Sequence, residues 1–392
     1  MLNTPFSPWP AFTAEEADAV RDVLLSNQVN YWTGTQGRAF EQEFAAWAGT
    51  KHAIALMNGT VALDVALWAL GVGKGDEVIV TSRTFLASAS SIVNAGAVPV
   101  CADVDADSQN ITAASIQAVL TPKTRAILCV HLAGWPCDMD PIMQLAQQHD
   151  LFVIEDCAQA HGALYKGQPV GSIGHVGAWS FCQDKVMTTG GEGGMVTTND
   201  TALWKKMWAI KDHGKSWDAV YERDHAPGFR WLHESFGTNW RMTEMQAVIG
   251  RIQLQRMPQW QAQRLANAQK IWDTARSLKG LRVPTVPADI QHAAYKCYVF
   301  VEPSQLQPGW DRDRIMDAIV ERGVPCYSGS CSEVYLEKAF DNTGFRPAER
   351  LPVAQELGET SLMFLVHPTL TEAEMQKTTD VLTEVMQLAT QP

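Results

Sequence analysis

Apolar positions recur with two different periods along this chain, and where the period changes is informative. Thr13-x-x-Glu16 has the form of a capping box and predicts a helix through about Leu25. Phe40 to Trp47 has helical spacing and stops before Gly49. Helices are expected again at 59–70, 87–94, 111–120 and 141–149, and strands at 77–80, 98–102, 126–131, 151–154, 176–181 and 194–198. Leu151 to Ile154 is apolar throughout, as in a strand buried on both faces. This alternation predicts an α/β fold with a mainly parallel sheet covered by helices.

After Asp200 the pattern breaks. The stretch 213–240 is rich in Trp, His, Arg and Gly, has no period, and is expected to be a long loop of the kind that often carries function. Thr243 to Gln255 is helical, and Pro258 predicts a bend or break before the helix resumes through Trp272. A strand at 297–301 and helices at 311–322 and 371–388 give a smaller α+β unit. Three parts are expected: an N-terminal segment, 1–30, packing with the small domain; a large domain, 31–257; and a small C-terminal domain, 258–392. No internal repeat or low-complexity tract is present.

Composition narrows the function. The 392 residues are 46% hydrophobic and 19% charged, ample for a sizeable core. A net charge of −12 argues against a nucleic-acid or anionic-membrane binder. No apolar run approaches the roughly 18 residues of a membrane span, and the N-terminus lacks the basic run and apolar core of a signal peptide. The eight cysteines form no C-x-x-C pair. Cys101, Cys129, Cys157 and Cys182 lie in or beside strand-like apolar runs, which suits reduced, buried thiols in a cytoplasmic protein. Cys326 and Cys331 lack nearby His or Cys partners, so no metal site is expected.

Three segments carry candidate chemistry. In LFVIEDCAQAHGA a buried strand delivers Asp156 at its C-terminal end, where open α/β sheets place ligands. An acid there is ordinarily a helix cap or a loop ion pair; it is also what a cofactor cation needs. In SFCQDKVMTTGGEGG, Lys185 follows a strand and precedes a glycine-rich turn. A loop lysine is ordinarily just solvated, but a desolvated one is an amine nucleophile. Asn58-Gly59-Thr60 opens an expected amphipathic helix and offers amides, a hydroxyl and a positive dipole end to a phosphate, with Ser180 placed to add a hydroxyl. Taken alone, that tripeptide is an ordinary helix cap. Lysine, carboxylate and phosphate cradle together are what pyridoxal 5'-phosphate requires.

The segments NGTVALDVAL, TFLASASSIVNAG, EDCAQAHGA, GSIGHVGAWSF, DKVMTTGGEGGMVTTND and GTNWRMTEMQAVIGRIQL, in this order, together resemble the DegT/DnrJ-type sugar aminotransferases, and LVHPTLTEAEM extends the likeness. The resemblance implies a fold-type I aminotransferase that works as a homodimer and aminates keto-sugars, usually from glutamate. It implies Lys185 as Schiff-base lysine and proton shuttle, and Asp156 as partner of the pyridinium. It places Gln159 and Phe85 on the two ring faces, Gly59, Thr60 and Ser180 on the phosphate, and Asn239 on the phosphate across the dimer interface. Phe85 is equally plain core packing by its period, and Arg241 is as readily a structural ion pair as a substrate contact. Sugar dehydratases that resemble the family have histidine in place of the lysine, so Lys185 favours transamination. A cofactor-binding regulator is the other alternative, and loss of Lys185, Asp156 or the phosphate loop would mark it.

Two stretches depart from the pattern. KSWDAVYERDHAPGFRWLHE is longer than its counterpart in many relatives; a solvated loop is the ordinary reading, and Lys215 and Arg230 would suit an anionic substrate. Where many nucleotide-sugar aminotransferases have a Pro-Leu-His-like stretch, this chain has Ser-Gly-Ser-Cys-Ser-Glu at 328–333. The resemblance therefore leaves two acceptors open: a nucleotide-linked keto-hexose, or a free keto-sugar acid such as 8-oxo-3-deoxy-octulosonate.

Overall fold

The computed structural model describes residues 2 and 4–390. A seven-stranded sheet forms the centre of the large domain, with spatial order Val98–Ala102, Glu77–Thr81, Thr124–Val130, Phe152–Asp156, Val176–Ser180, Gly194–Thr198 and His52–Leu56. Every strand is parallel to its fellows except Gly194–Thr198, which runs antiparallel to both neighbours. This is the mixed, mainly parallel sheet of a fold-type I aminotransferase. The edge strand His52–Leu56 was not anticipated: its run HAIAL is short and follows a helix closely, so its periodicity is indistinct.

The helix Gly59–Ala69 is not amphipathic as expected. Val61 to Leu67 are all buried, because the helix is covered by the sheet on one side and by the helices Ala87–Asn94 and Thr201–Lys211 on others. Full burial of each Val or Leu there contributes ~1.5–3 kcal/mol. Thr201–Lys211 was itself missed; Asp200 caps it, accepting from the amides of Ala202 and Leu203.

Pro258 does not break its helix. Glu244–Arg276 is one helix of 33 residues. Thr243 caps it, and it packs against Ala14–Ser26 and Gln36–Trp47. Pro258 is itself exposed, and packing on both sides of it holds the helix continuous. This helix runs through the expected domain boundary and joins both cores. The second core surrounds a four-stranded antiparallel sheet ordered Leu281–Arg282, Cys297–Val301, Ser361–Phe364, Cys326–Tyr327, covered by Arg312–Glu321 and Glu372–Thr390.

The N-terminal segment lies against this second unit. Phe6 packs on its core, and the Ser7 hydroxyl donates to Glu374 at 3.1 Å. The stretch 213–240 is not featureless: Ser216 caps a short helix, Trp217–Tyr221, and Lys215 bridges to His233. Phe229, Trp231 and Phe236 remain exposed on it.

Candidate active site

The Phe152–Asp156 strand sends successive side chains to opposite faces of the sheet. Asp156 points to the site face and is 6% exposed. One carboxylate oxygen accepts from the Ser88 hydroxyl at 2.9 Å, the other from the Ala158 amide at 3.1 Å. Thr84 in turn bonds Ser88 at 2.8 Å. Burial raises the Asp156 pKa, and the bonds from Ala158 and Ser88, with the positive charge of Lys185, only partly offset it. A buried carboxylate with this balance fits a cationic partner, such as a protonated pyridine nitrogen. Ser88 was not foreseen; nothing in TFLASAS distinguishes that serine by its spacing.

Glu155 points the other way. Fully buried, it accepts from His131 at 2.9 Å and from the amides of Gly171, Ile173 and Gly174. His131, Glu155 and Cys157 lie close enough together to suggest a metal set. His131 and Glu155 are nevertheless committed to each other and to backbone amides, and the cluster is internal scaffolding.

Lys185 follows the Val176–Ser180 strand. Its ammonium stands 5.2 Å from the centre of the Tyr295 ring, and its carbonyl accepts from the Trp9 indole at 2.8 Å. The glycine turn beyond it has a steric cause. Gly190 and Gly191 have φ of 85° and 112°, left-handed values that side chains resist. His161, from the same EDCAQAHGA segment as Asp156, is buried against Trp179 and Phe181, and burial lowers its pKa to about 3.

The phosphate cradle is assembled by close approach. Asn58 caps the Val61 amide, leaving Gly59 and Thr60 at the open end of their helix. A Cβ on Gly59 would lie 2.6 Å from the Ser180 Cβ, so only glycine brings these amides beside the Ser180 hydroxyl. Gln159 is 8% exposed, and its Oε1 accepts from the Ala133 amide at 2.8 Å, which fixes its side chain beneath the site. Phe85 is 72% exposed, so it is not the core residue its period equally allowed. The loop bearing it is stitched to the unusual 328–333 segment: the Thr84 amide donates to Cys331 O at 3.1 Å and the Val334 amide to Ser82 O at 2.8 Å. Carboxylate, lysine, helix start and exposed aromatic thus fit pyridoxal phosphate.

The structure does not bring the other candidates to this cluster as a set. Arg241 donates to buried Asp212 at 2.8 Å, and Lys215 approaches the same oxygen at 3.4 Å while covering the Trp32 ring. Arg230 is exposed on its loop, and Asn239 is exposed beside Asp212. Tyr295, Trp9 and Ser88 were missed because they come from distant parts of the chain. A cleft of about 860 Å³ is lined by residues such as Lys166, Trp272 and Asp289 and by none of the site residues above.

Known proteins similar to this chain in sequence and fold include aminotransferases. The chain is 46% identical to GDP-perosamine synthase of Caulobacter vibrioides over 247 residues, which is 62% of this chain and 64% of that protein. It is 36% identical to a UDP-N-acetyl-3-dehydro-alpha-D-glucosamine 3-aminotransferase of Acidithiobacillus ferrooxidans over 93% of this chain and 94% of that protein. The crystal structure of an aminotransferase from Psychrobacter cryohalolentis superposes with a TM-score of 0.97 at 68% identity, covering 98% of this chain and all of that one. No helix among the described residues is long and apolar enough to cross a membrane. Residues 10–383 match the model of the DegT/DnrJ/EryC1/StrS aminotransferase family, and the chain belongs to that family of pyridoxal-phosphate-dependent sugar aminotransferases.

Proposed function

We propose that this enzyme moves an amino group from glutamate to the carbonyl carbon of a keto-sugar carried on a nucleoside diphosphate, in the biosynthesis of cell-surface sugars. The observation that carries the amino-transfer reading is the pairing of Lys185 with buried Asp156 beside the Gly59–Ser180 cradle. The two relatives named above, one GDP-linked and one UDP-linked by name, support the acceptor class.

Bound pyridoxal phosphate supplies a carbonyl that exchanges with amines and a ring that accepts the electron pair of a carbon losing its proton. With the cofactor bound, Lys185 would anchor it and, once released by the donor amine, would serve as the base that takes the proton from the donor carbon. Asp156 would face the ring nitrogen and keep it protonated, with Ser88 and Ala158 fixing the carboxylate. Gly59, Thr60 and Ser180 hold the phosphate, and Phe85 and Gln159 hold the ring faces. Asn239, exposed in one chain, reaches the phosphate of a second copy in a homodimer. Release of 2-oxoglutarate precedes entry of the sugar, which gives ping-pong kinetics.

A second acceptor is favoured by one observation. Cys331 and Ser332 stand against the Phe85 loop where many relatives place a Pro-Leu-His-like stretch. A free keto-sugar acid, such as 8-oxo-3-deoxy-octulosonate, would use that wall differently. Holoenzyme converted to its amine form by glutamate is offered GDP- and UDP-linked keto-sugars and the free acid in turn. Return of the aldehyde-form absorbance with a nucleotide-linked sugar supports the first reading. Return with the free acid alone establishes the second. Failure of glutamate to convert the cofactor sinks the donor assignment.

A further inference from the structure

An amino acid that donates its amine at Lys185 carries a carboxylate on the same carbon, so a cation must face that group close to the lysine. We propose that Arg264 and Lys296 form this carboxylate site, in a cavity of about 290 Å³ bounded also by Trp9, Tyr295, Asp184 and His367. The inference rests on the amino-transfer reading above.

Arg264 comes from the long helix and is 1% exposed. Its Nε and Nη2 have no hydrogen-bond partner, and Nη1 reaches only the Tyr295 carbonyl at 3.4 Å. Its guanidinium lies 4.8 Å from the Trp9 ring, which restrains it without satisfying its donors. Buried donors left this way are costly, and the planar guanidinium fork matches a carboxylate. Lys296 adds a second charge, 4.8 Å from the centre of the same Tyr295 ring that Lys185 approaches at 5.2 Å. Two lysines therefore flank the Tyr295 ring, and Arg264 reaches the backbone carbonyl of the same residue.

The opposing acid does not balance them. Asp184 is the one carboxylate lining the cavity, and it accepts the Tyr295 hydroxyl. His367, stacked on Trp9, is held neutral, its pKa lowered to about 3 by burial and the nearby cations. Burial lowers Arg264 to about 9, only partly offset by Tyr295 and Asp184, and lowers Lys296 to about 8, only partly offset by Asp184. The cavity sits at the small end of ligand sites, which run to about 300–1,000 Å³. It suits a dicarboxylic amino acid better than a nucleotide-linked sugar. Trp9 ties it to the catalytic lysine by its bond to the Lys185 carbonyl.

The test is calorimetric titration of the holoenzyme with glutarate, an unreactive five-carbon dicarboxylate, and separately with GDP, alongside steady-state kinetics. Glutarate is expected to bind the parent protein and to bind at least ten times more weakly to Lys296→Gln and Arg264→Lys, with GDP binding unmoved. In both variants the KM for glutamate should rise while the KM for the keto-sugar does not. Half-buried Lys296 keeps the test open should the Arg264 variant not fold. Glutarate binding unchanged in Lys296→Gln, equal weakening of glutarate and GDP, or a rise confined to the sugar KM would each overturn the proposal. Loss of the amino-transfer reading shows separately, as a cofactor that glutamate cannot convert to its amine form.

Discussion

Gly59 and Ser180 are packed so closely that a methyl group on the glycine would fall 2.6 Å from the serine Cβ. Two segments far apart in sequence meet here to make one anion cradle. Gly59→Ala must push the helix start away from the Ser180 hydroxyl. The variant is expected to bind pyridoxal phosphate at least ten times more weakly, about 1.4 kcal/mol, with the fold retained. Equilibrium dialysis of the cofactor checks this; parent-like affinity would show that the cradle holds something else.

Lys185→Ala removes both the anchor and the proton carrier. Turnover should fall by more than the ~10²–10⁴-fold that proton transfer alone contributes. The lysine-linked chromophore should vanish, and borohydride should no longer fix cofactor to the chain. Normal turnover in this variant would overturn the assignment of Lys185.

Asp156→Asn separates stability from function. Burial raises the pKa of Asp156 above its ordinary 3.8. A carboxyl raised in the fold favours its protonated form there, so stability falls as pH climbs from the ordinary value through the raised one, and the penalty persists at neutral pH. Asparagine can still accept from the Ala158 amide, while its NH2 donates to the Ser88 hydroxyl oxygen, without the charge. The cofactor-free variant should be more stable than the cofactor-free parent by ~1 kcal/mol at pH 7, and the gap should close below pH about 4. Activity should meanwhile drop by about 10²-fold or more. Thermal melts across pH measure the first effect and turnover the second.

The parts of the site legible in the sequence are those written in one short segment each. Asp156 ends an apolar strand, Lys185 precedes a glycine turn, and Asn58-Gly59-Thr60 opens a helix, so local pattern carries all three. Ser88, Tyr295, Trp9 and Arg264 were not legible, because their positions depend on where distant elements pack. The same difference explains Pro258: local propensity argues for a break, while packing along both halves of Glu244–Arg276 holds one helix. The strand His52–Leu56 was missed for a local reason: its five-residue run HAIAL is too short to show a distinct period.

Glu155, back to back with Asp156 on one strand, should set the acid limit of the fold. Burial alone would raise its pKa, but His131 and the amides of Gly171 and Gly174 bind the charged form and bring it below the ordinary 4.5. A carboxyl lowered in the fold contributes stability that is fully present above the ordinary value and is lost as pH falls through the lowered one. Glu155→Gln replaces an acceptor of several amides with a group that must turn a donor toward one of them. It should cost ~3 kcal/mol at pH 7, read as a lower urea midpoint, and should flatten the loss of stability below pH 4.5. Because Asp156 is the next residue of the strand, cofactor affinity should weaken too. A variant with parent-like stability at pH 7 and an unchanged acid transition would show that the Gly171–Gly174 turn does not depend on this charge.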